Sequence, residues 1–254
     1  MLFRADIAAV TTVLLVSVRF GALFLLTPLF AVAQVPVRVR VFFLLTLAFV
    51  MVYGLKVVPF AAPVTVAGLL QAVFNELVVG AALAFGVFAA FAAFLFGGRI
   101  LDFQMGFGVA NLIDPATRTQ SPLLGTVLNL MAVIIFFLLN GHHMLIRGLA
   151  YSIEKIPPGA PMRALGVEAI VSQFGVMFVY GLAVVAPAVF TLLLLDVGMA
   201  VAARTMPQVN MFIIGFPLKI FLGLVLLALS LNYMGPLLEK IYGSIFHYWQ
   251  QVIA

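Results

Sequence analysis

Long apolar runs, most of them long enough to cross a bilayer, divide this chain. A membrane-spanning helix needs about 20 mainly apolar residues. Because lipid offers no hydrogen-bond partners to an exposed backbone, each run is predicted to be helical. The sequence therefore predicts an all-α, polytopic, highly apolar protein with about six spans and an uncertain seventh or eighth. The runs are Ile7–Val32, Val41–Val58, Val64–Gly97, Pro122–Leu139, Ala169–Leu195 and Met211–Met234.

The scarcity of charge supports a membrane protein or a subunit covered by other apolar subunits. The chain is 65% hydrophobic and 8% charged, whereas soluble domains carry about 25% charged residues. The net charge of +5 is scattered along the sequence, which argues against a nucleic-acid partner. With no composition shift that would mark a soluble domain, residues 1–254 are predicted to form a single helical subunit.

Three ionisable residues interrupt the apolar runs: Arg19, Glu76 and Lys219. Charges at membrane depth usually face a protein interior or a water-filled cavity. Glu76 could pair with either Arg19 or Lys219. The favoured interpretation is a buried ion pair that fixes helix register, and a proton or ion relay is the alternative.

A stripe of small residues follows one face of the helix predicted over Ala81–Gly97. At about 100° per residue, its members fall within one arc of about 80°. Small residues let another helix backbone approach closely, either within the same chain or from another subunit. Both interpretations remain open from the sequence. The stripe consists of Ala82, Gly86, Ala90, Ala93 and Gly97.

A long polar interruption spans residues 98–121 and combines glycines with large apolar side chains. Loops longer than about 12–15 residues are usually functional or disordered. Apolar side chains can seal a pore against water, so this segment is predicted to be a lid, constriction or plug. Its candidate gate residues are Met105, Gly106, Phe107, Gly108, Asn111, Asp114 and Pro115.

A second polar interruption, Arg204–Lys219, contains Pro207 and Pro217. A backbone broken at prolines is tolerated at membrane depth only where protein or a water-lined cavity satisfies it. Gln208 and Asn210 could supply those hydrogen bonds. The stretch is therefore predicted to be an inter-helix corner that packs within an assembly, with Arg204 and Lys219 as enclosed charges.

Catalytic and metal-binding motifs are not recognisable in this sequence. His142 and His143 are adjacent, and His247 is remote, so they lack the spacing of a chelate. The chain has no cysteine and no phosphate-binding loop, dinucleotide fingerprint or nucleophile elbow. We therefore predict no enzyme activity and no catalytic, cofactor-binding or metal-binding residues.

An ordered set of short motifs resembles the FliR family of flagellar biosynthesis proteins, related to the export-gate T subunit of virulence type III secretion systems. Each motif is weak alone, but their order covers nearly the whole chain. The motifs are Val35–Arg40, Asn75–Gly80, Asp102–Gly106, Asp114-Pro115, Asn140–His143 and Arg204–Lys219.

The resemblance implies a core subunit of the type III export gate, made of helical hairpins. Its implied partners are FliP and FliQ, with FlhB and FlhA nearby, in the inner membrane and the flagellar basal body. It also implies that Gly106–Gln120 plugs a channel for unfolded export substrates. A stand-alone transporter or ion channel is the alternative function, and an assembly scaffold without a pore-lining role is a third.

Overall fold

Helices account for nearly all the regular structure in this computed structural model, which describes residues 2–28, 35–60, 65–107, 122–161, 166–208 and 210–253. No strand occurs in those ranges, so the all-α prediction is confirmed. The helices are α1 (Leu2–Leu26), α2 (Val37–Gly54), α3 (Val66–Gln104), α4 (Leu123–Leu138), α5 (Gly141–Lys155), α6 (Val167–Thr205), α7 (Met211–Leu231) and α8 (Gly235–Ile253).

Five of these helices are long and apolar enough to cross a membrane: α1, α2, α3, α6 and α7. The pair α4 and α5 passes the same test only together, with a 74° bend between them. The described helices thus allow five or six spans, which agrees with the predicted count of about six. The amphipathic helix α8 is not among them.

The bend between α4 and α5 is set by Asn140 and Gly141. Asn140 adopts a left-handed conformation with φ 57°, which is a common way for a helix such as α4 to end. Gly141 then opens α5, and a side chain there would overlap the ring of Phe136. The asparagine therefore makes the turn, and the glycine provides the space for it.

Two helices extend further than the sequence predicts. Helix α3 continues to Gln104, so residues 98–104 are helical and do not belong to a loop. The reason is packing: Gly98 lies directly against the backbone of Gly125 in α4. Helix α7 runs through Pro217, so the predicted backbone break there is wrong. A proline removes one backbone hydrogen bond, and the other bonds keep this helix intact.

The chain divides into two compact units. Unit 1 comprises Met1–Ala89, Ile135–Phe174 and Ser244–Ala254, and unit 2 comprises Ala90–Ile134 and Gly175–Gly243. Each unit combines separated parts of the chain, so no sequence boundary marks it. Each buries large apolar side chains: Phe20, Leu23 and Trp249 in unit 1, and Phe94, Leu101 and Leu192 in unit 2.

Candidate functional site

A buried ion pair between Arg19 of α1 and Glu76 of α3 lies at the centre of unit 1. Arg19 is 0% exposed and Glu76 is 2% exposed. Arg19 Nε donates to Glu76 Oε2 at 2.6 Å, and Nη2 donates to Oε1 at 3.1 Å. This two-point contact is the strong form of a charge-assisted hydrogen bond. Of the two partners open to Glu76, the structure places Arg19 beside it.

The remaining hydrogen-bonding capacity of this pair is used by the end of α5 and the turn after it. Arg19 Nη1 donates to the carbonyl oxygen of Ser152 at 2.9 Å, and Nη2 donates to that of Ile156 at 2.9 Å. Glu76 Oε1 accepts the backbone N–H of Gly159 at 2.8 Å. A buried pair compensates its desolvation only when such extra bonds are made. The pair therefore joins α1, α3 and α5.

Sequence reasoning missed Ser152, Ile156 and Gly159 as members of this network. Their closest contacts use backbone groups, although the Ser152 hydroxyl also accepts from Arg19 Nη1 at 3.3 Å, and they lie 83 to 137 residues from their partners. Gly159 does carry a signal, since Pro157-Pro158-Gly159 marks a turn. Its φ of 75° is left-handed, and that conformation favours glycine.

The small-residue stripe of α3 is covered by helices of the same chain. In unit 1, a side chain at Gly86 would overlap Tyr248 and come within 3.3 Å of Trp249 Nε1, both from α8. In unit 2, Gly97 faces the backbone of Gly181 from α6. Ala90 and Ala93 are fully buried, whereas Ala82 is partly exposed. The chain itself occupies the space beside Gly86 and Gly97, which favours the intramolecular interpretation, and a seam with another subunit stays a prediction.

Met105 and Gly106 form the root of the candidate plug segment in unit 2. The Met105 side chain is 0% exposed, and its Sδ would lie 2.7 Å from a Cβ added to Gly223 of α7. Gly106 has φ 82° and lies against the ring of Phe216, also from α7. Phe107 follows and is partly exposed. Gly108, Asn111, Asp114 and Pro115 lie outside the described residues.

Asp102 connects the last turn of α3 with the first turn of α4. Its Oδ1 accepts the backbone N–H of Leu124 at 3.0 Å, and its Oδ2 accepts that of Gly125 at 3.4 Å. A carboxylate at this position caps the first turn of α4 and complements its dipole. The end of α3 and the start of α4 are thereby held together within unit 2.

The corner between α6 and α7 differs in part from its prediction. Arg204 is exposed on this chain, one residue before α6 ends, so its enclosure within an assembly stays a prediction. Pro207, Gln208 and Asn210 are also exposed. Lys219 is 22% exposed and pairs with Asp196 of α6, with Nζ 2.5 Å from Oδ1. Asp196 was missed, since it follows directly after an apolar run.

The adjacent histidines lie in the first turn of α5. Their ring centroids are 4.2 Å apart and the ring planes are inclined by 51°. No group of three or more histidine, aspartate or glutamate side chains in the described ranges could hold a metal ion.

Among the candidate spans, α2 and α7 have the smallest share buried within the chain. In the most apolar stretch of each of these helices, only 17% is buried within the chain. Phe42 is 72% exposed in α2, and Phe221 is 67% exposed in α7. Continuous apolar surfaces of this kind require lipid or partner proteins to cover them.

Comparison with known proteins accounts for this combination of features. The sequence model of a family described as "Bacterial export proteins, family 1" matches residues 10–245. The flagellar biosynthetic protein FliR of Bacillus subtilis is 33% identical over 245 residues, which cover 95% of this chain and 94% of that protein. This chain belongs to the FliR family.

Other FliR relatives extend the comparison. FliR of Escherichia coli is 30% identical over 181 residues, covering 71% of this chain and 69% of that protein. The Yop proteins translocation protein T of Yersinia pestis is 25% identical over 158 residues, covering 61% and 60%. Membership of the FliR family makes this chain a component of flagellar or type III protein export.

Proposed function

We propose that this chain is a core subunit of the flagellar type III export gate. In this proposal it assembles with FliP and FliQ into a helical channel in the bacterial inner membrane, within the flagellar basal body. FlhB and FlhA lie nearby, and unfolded export substrates pass through the channel. Residues 106–120 act as a plug that closes the channel when no substrate is present.

The contacts of Met105 and Asp102, on the two helices that flank the plug segment, support this proposal. The Met105 side chain packs against Gly223, and the Asp102 carboxylate accepts a hydrogen bond from the first turn of α4. The described residues that flank 108–121 are therefore anchored by packing and hydrogen bonds within unit 2. A loop with two fixed ends can move in and out of a pore without loss of the surrounding helix packing. Gly106, with its left-handed φ, follows directly after the buried Met105.

The exposed apolar faces of α2 and α7 support assembly with other subunits. The exposed corner residues Pro207, Gln208 and Asn210 extend the predicted contact surface beyond these two faces. In a hetero-oligomer, FliP and FliQ would cover much of this surface, and membrane lipid would cover the rest. This chain alone is then expected to be inert.

The Arg19–Glu76 pair argues against a stand-alone ion transporter. Both carboxylate oxygens accept hydrogen bonds from fixed groups. A carboxylate that relays protons needs access to a water-filled pathway, and Glu76 is 2% exposed with both oxygens hydrogen-bonded. We assign the pair a structural role, and the channel function to the assembly.

Deletion of Gly106–Ala116 tests the plug. The variant is co-expressed with FliP and FliQ, co-purification establishes assembly, and leak of a small solute across the inner membrane is measured in cells. We expect an assembled complex with an increased leak, because the apolar seal is lost. An assembled complex that leaks no more than wild type would refute the plug assignment.

Two variants of unchanged length complete the test, the first as a second test of the apolar seal and the other as its control. Replacement of Phe107, Leu112 and Ile113 by serine removes the apolar side chains alone, and it should also increase the leak. Replacement of Thr117 and Thr119 by serine preserves polarity and should leave the leak at the wild-type level. Failure of the wild-type chain to co-purify with FliP and FliQ would refute the channel assembly itself.

A further inference from the structure

A groove of about 260 Å³ lies between α5 and the last turns of α8 in unit 1. Its base forms because Gly148 has no side chain and the indole ring of Trp249 fills that space. The indole Nε1 donates to the carbonyl oxygen of Leu83 at 2.9 Å, which fixes the ring in place. Besides Gly148, the lining residues are Met144, Arg147, Tyr151, Phe246, Trp249 and Gln250.

The charge of this groove is positive. Arg147 is exposed and is the only charged residue in the lining. Lys155 adds a second cation, since its Nζ lies 5.7 Å from the centre of the Tyr151 ring. One wall of the groove therefore presents the Arg147 guanidinium, with the Lys155 ammonium near it, while Met144 and Phe246 present apolar surface above the buried ring of Trp249.

The two helices that form the groove are suited to the membrane interface. Neither α5 nor α8 qualifies alone as a span. Both carry charged residues along one side: Arg147, Glu154 and Lys155 on α5, and Glu239 and Lys240 on α8. Amphipathic helices lie along the lipid headgroups, where tryptophan, tyrosine and basic residues are enriched.

We propose that this groove binds the headgroup of an anionic phospholipid. The Arg147 guanidinium donates to the phosphate oxygens, and Lys155 adds attraction from the neighbouring turn. The first part of an acyl chain lies against Met144 and Phe246, close to the buried ring of Trp249. Free phosphate shares the headgroup's chemistry, but it would leave the apolar wall unused, so we assign the site to lipid.

The single tryptophan of the chain makes this proposal directly measurable. Trp249 is the only tryptophan in 254 residues, and bromine quenches tryptophan fluorescence at short range. The full chain in a nonionic detergent is titrated with phosphatidylglycerol brominated on its acyl chains. We expect saturable quenching, and Arg147→Gln should weaken the apparent affinity about fivefold or more, because it removes charge-assisted hydrogen bonds.

Three controls decide the interpretation. Arg38→Gln removes an exposed arginine from α2 and should leave the titration unchanged. Brominated phosphatidylcholine, which has no net charge, should quench only at higher concentration. Inorganic phosphate at the concentration of half-maximal quenching should not displace the lipid.

The proposal fails if Arg147→Gln titrates as wild type or if both brominated lipids quench equally. Displacement by inorganic phosphate would reassign the groove to free anions and would also overturn the proposal. Circular dichroism checks that each variant keeps its helix content. Should Arg147→Gln lose it, Lys155→Gln decides instead: weaker binding of about twofold supports the site, and unchanged binding overturns it.

Discussion

The two units use charged residues differently. In unit 1, Arg19 and Glu76 are almost completely buried and hydrogen-bond to each other and to three backbone groups. In unit 2, Lys219 and Asp196 are 22% and 34% exposed. A partly exposed pair is screened by its surroundings and contributes little to stability, whereas a buried pair is strongly destabilised when one member is lost. Unit 1 therefore depends on its charges far more than unit 2 does.

The glycine contacts of the two units show a similar contrast. In unit 1, Gly80 lies against the backbone carbonyl of Arg19. In unit 2, Gly223 lies against the thioether of Met105, a flexible side chain. Backbone cannot move aside without disturbing a helix, but a methionine can change rotamer. The more adaptable contact is thus the one that anchors the plug segment.

The largest expected effect separates the two ion pairs. Arg19→Met leaves Glu76 buried without its partner, and we expect the free energy of unfolding to fall by about 3–5 kcal/mol. Lys219→Met should cost less than about 1 kcal/mol, because its pair is partly exposed. Thermal unfolding in detergent measures both. The double variant Arg19→Met/Glu76→Met should recover much of the loss, and equal losses from the two single variants would contradict this contrast.

An intermediate effect separates the two glycine contacts. In Gly80→Ala, the new Cβ would overlap the carbonyl oxygen of Arg19 and lie 2.7 Å from Cβ of Ala22, so we expect a loss of about 1–3 kcal/mol. In Gly223→Ala, Met105 can shift, and the loss should be below about 1 kcal/mol. Unfolding midpoints measure the difference.

Each glycine variant has a control in the same unit. Gly21 in unit 1 and Gly198 in unit 2 have open space where a Cβ would be added. Alanine at either position should be neutral or slightly stabilising, since it favours helix. If Gly223→Ala proves as costly as Gly80→Ala, the Met105 contact is rigid and the contrast is lost.

The smallest expected effect tests whether the units also differ in their neutral hydrogen bonds. Tyr248 donates its hydroxyl to the carbonyl oxygen of Ala82 at 2.9 Å in unit 1, and Tyr242 donates to that of Ala132 at 2.6 Å in unit 2. Substitution by phenylalanine should cost about 1 kcal/mol in either case. A much larger loss at one tyrosine would show that the units differ here as well.

The same tyrosines give a pH signature. Burial raises the pKa of Tyr248 to about 12, from an ordinary value of 10, and burial also raises the pKa of Tyr242. The folded chain therefore keeps these protons where the unfolded chain loses them, so stability should fall as the pH rises above 10. Unfolding at pH 8 and pH 11 should show a smaller fall for Tyr248→Phe than for wild type.

Some residues of the candidate site could be identified from sequence because burial makes their chemistry costly. A charge within an apolar run needs a partner, so the sequence predicts that Arg19 and Glu76 are enclosed charges. The sequence does not decide whether Arg19 or Lys219 is the partner of Glu76, since both are cations within apolar runs. Met105 is one of the gate residues that the sequence predicts, but its burial against Gly223 depends on a helix that begins more than 100 residues later.

Composition and the lengths of the apolar runs by themselves determined that this protein is helical and apolar, because a backbone without water must satisfy its own hydrogen bonds. The ordered motifs indicated the family. Only the tertiary structure decided which charges pair, that the chain's own helices cover the small-residue stripe, and that Asp102 joins the end of α3 to the start of α4. These are contacts between distant parts of the chain, and they depend on the packing of helices in three dimensions, which the local pattern of residues does not specify.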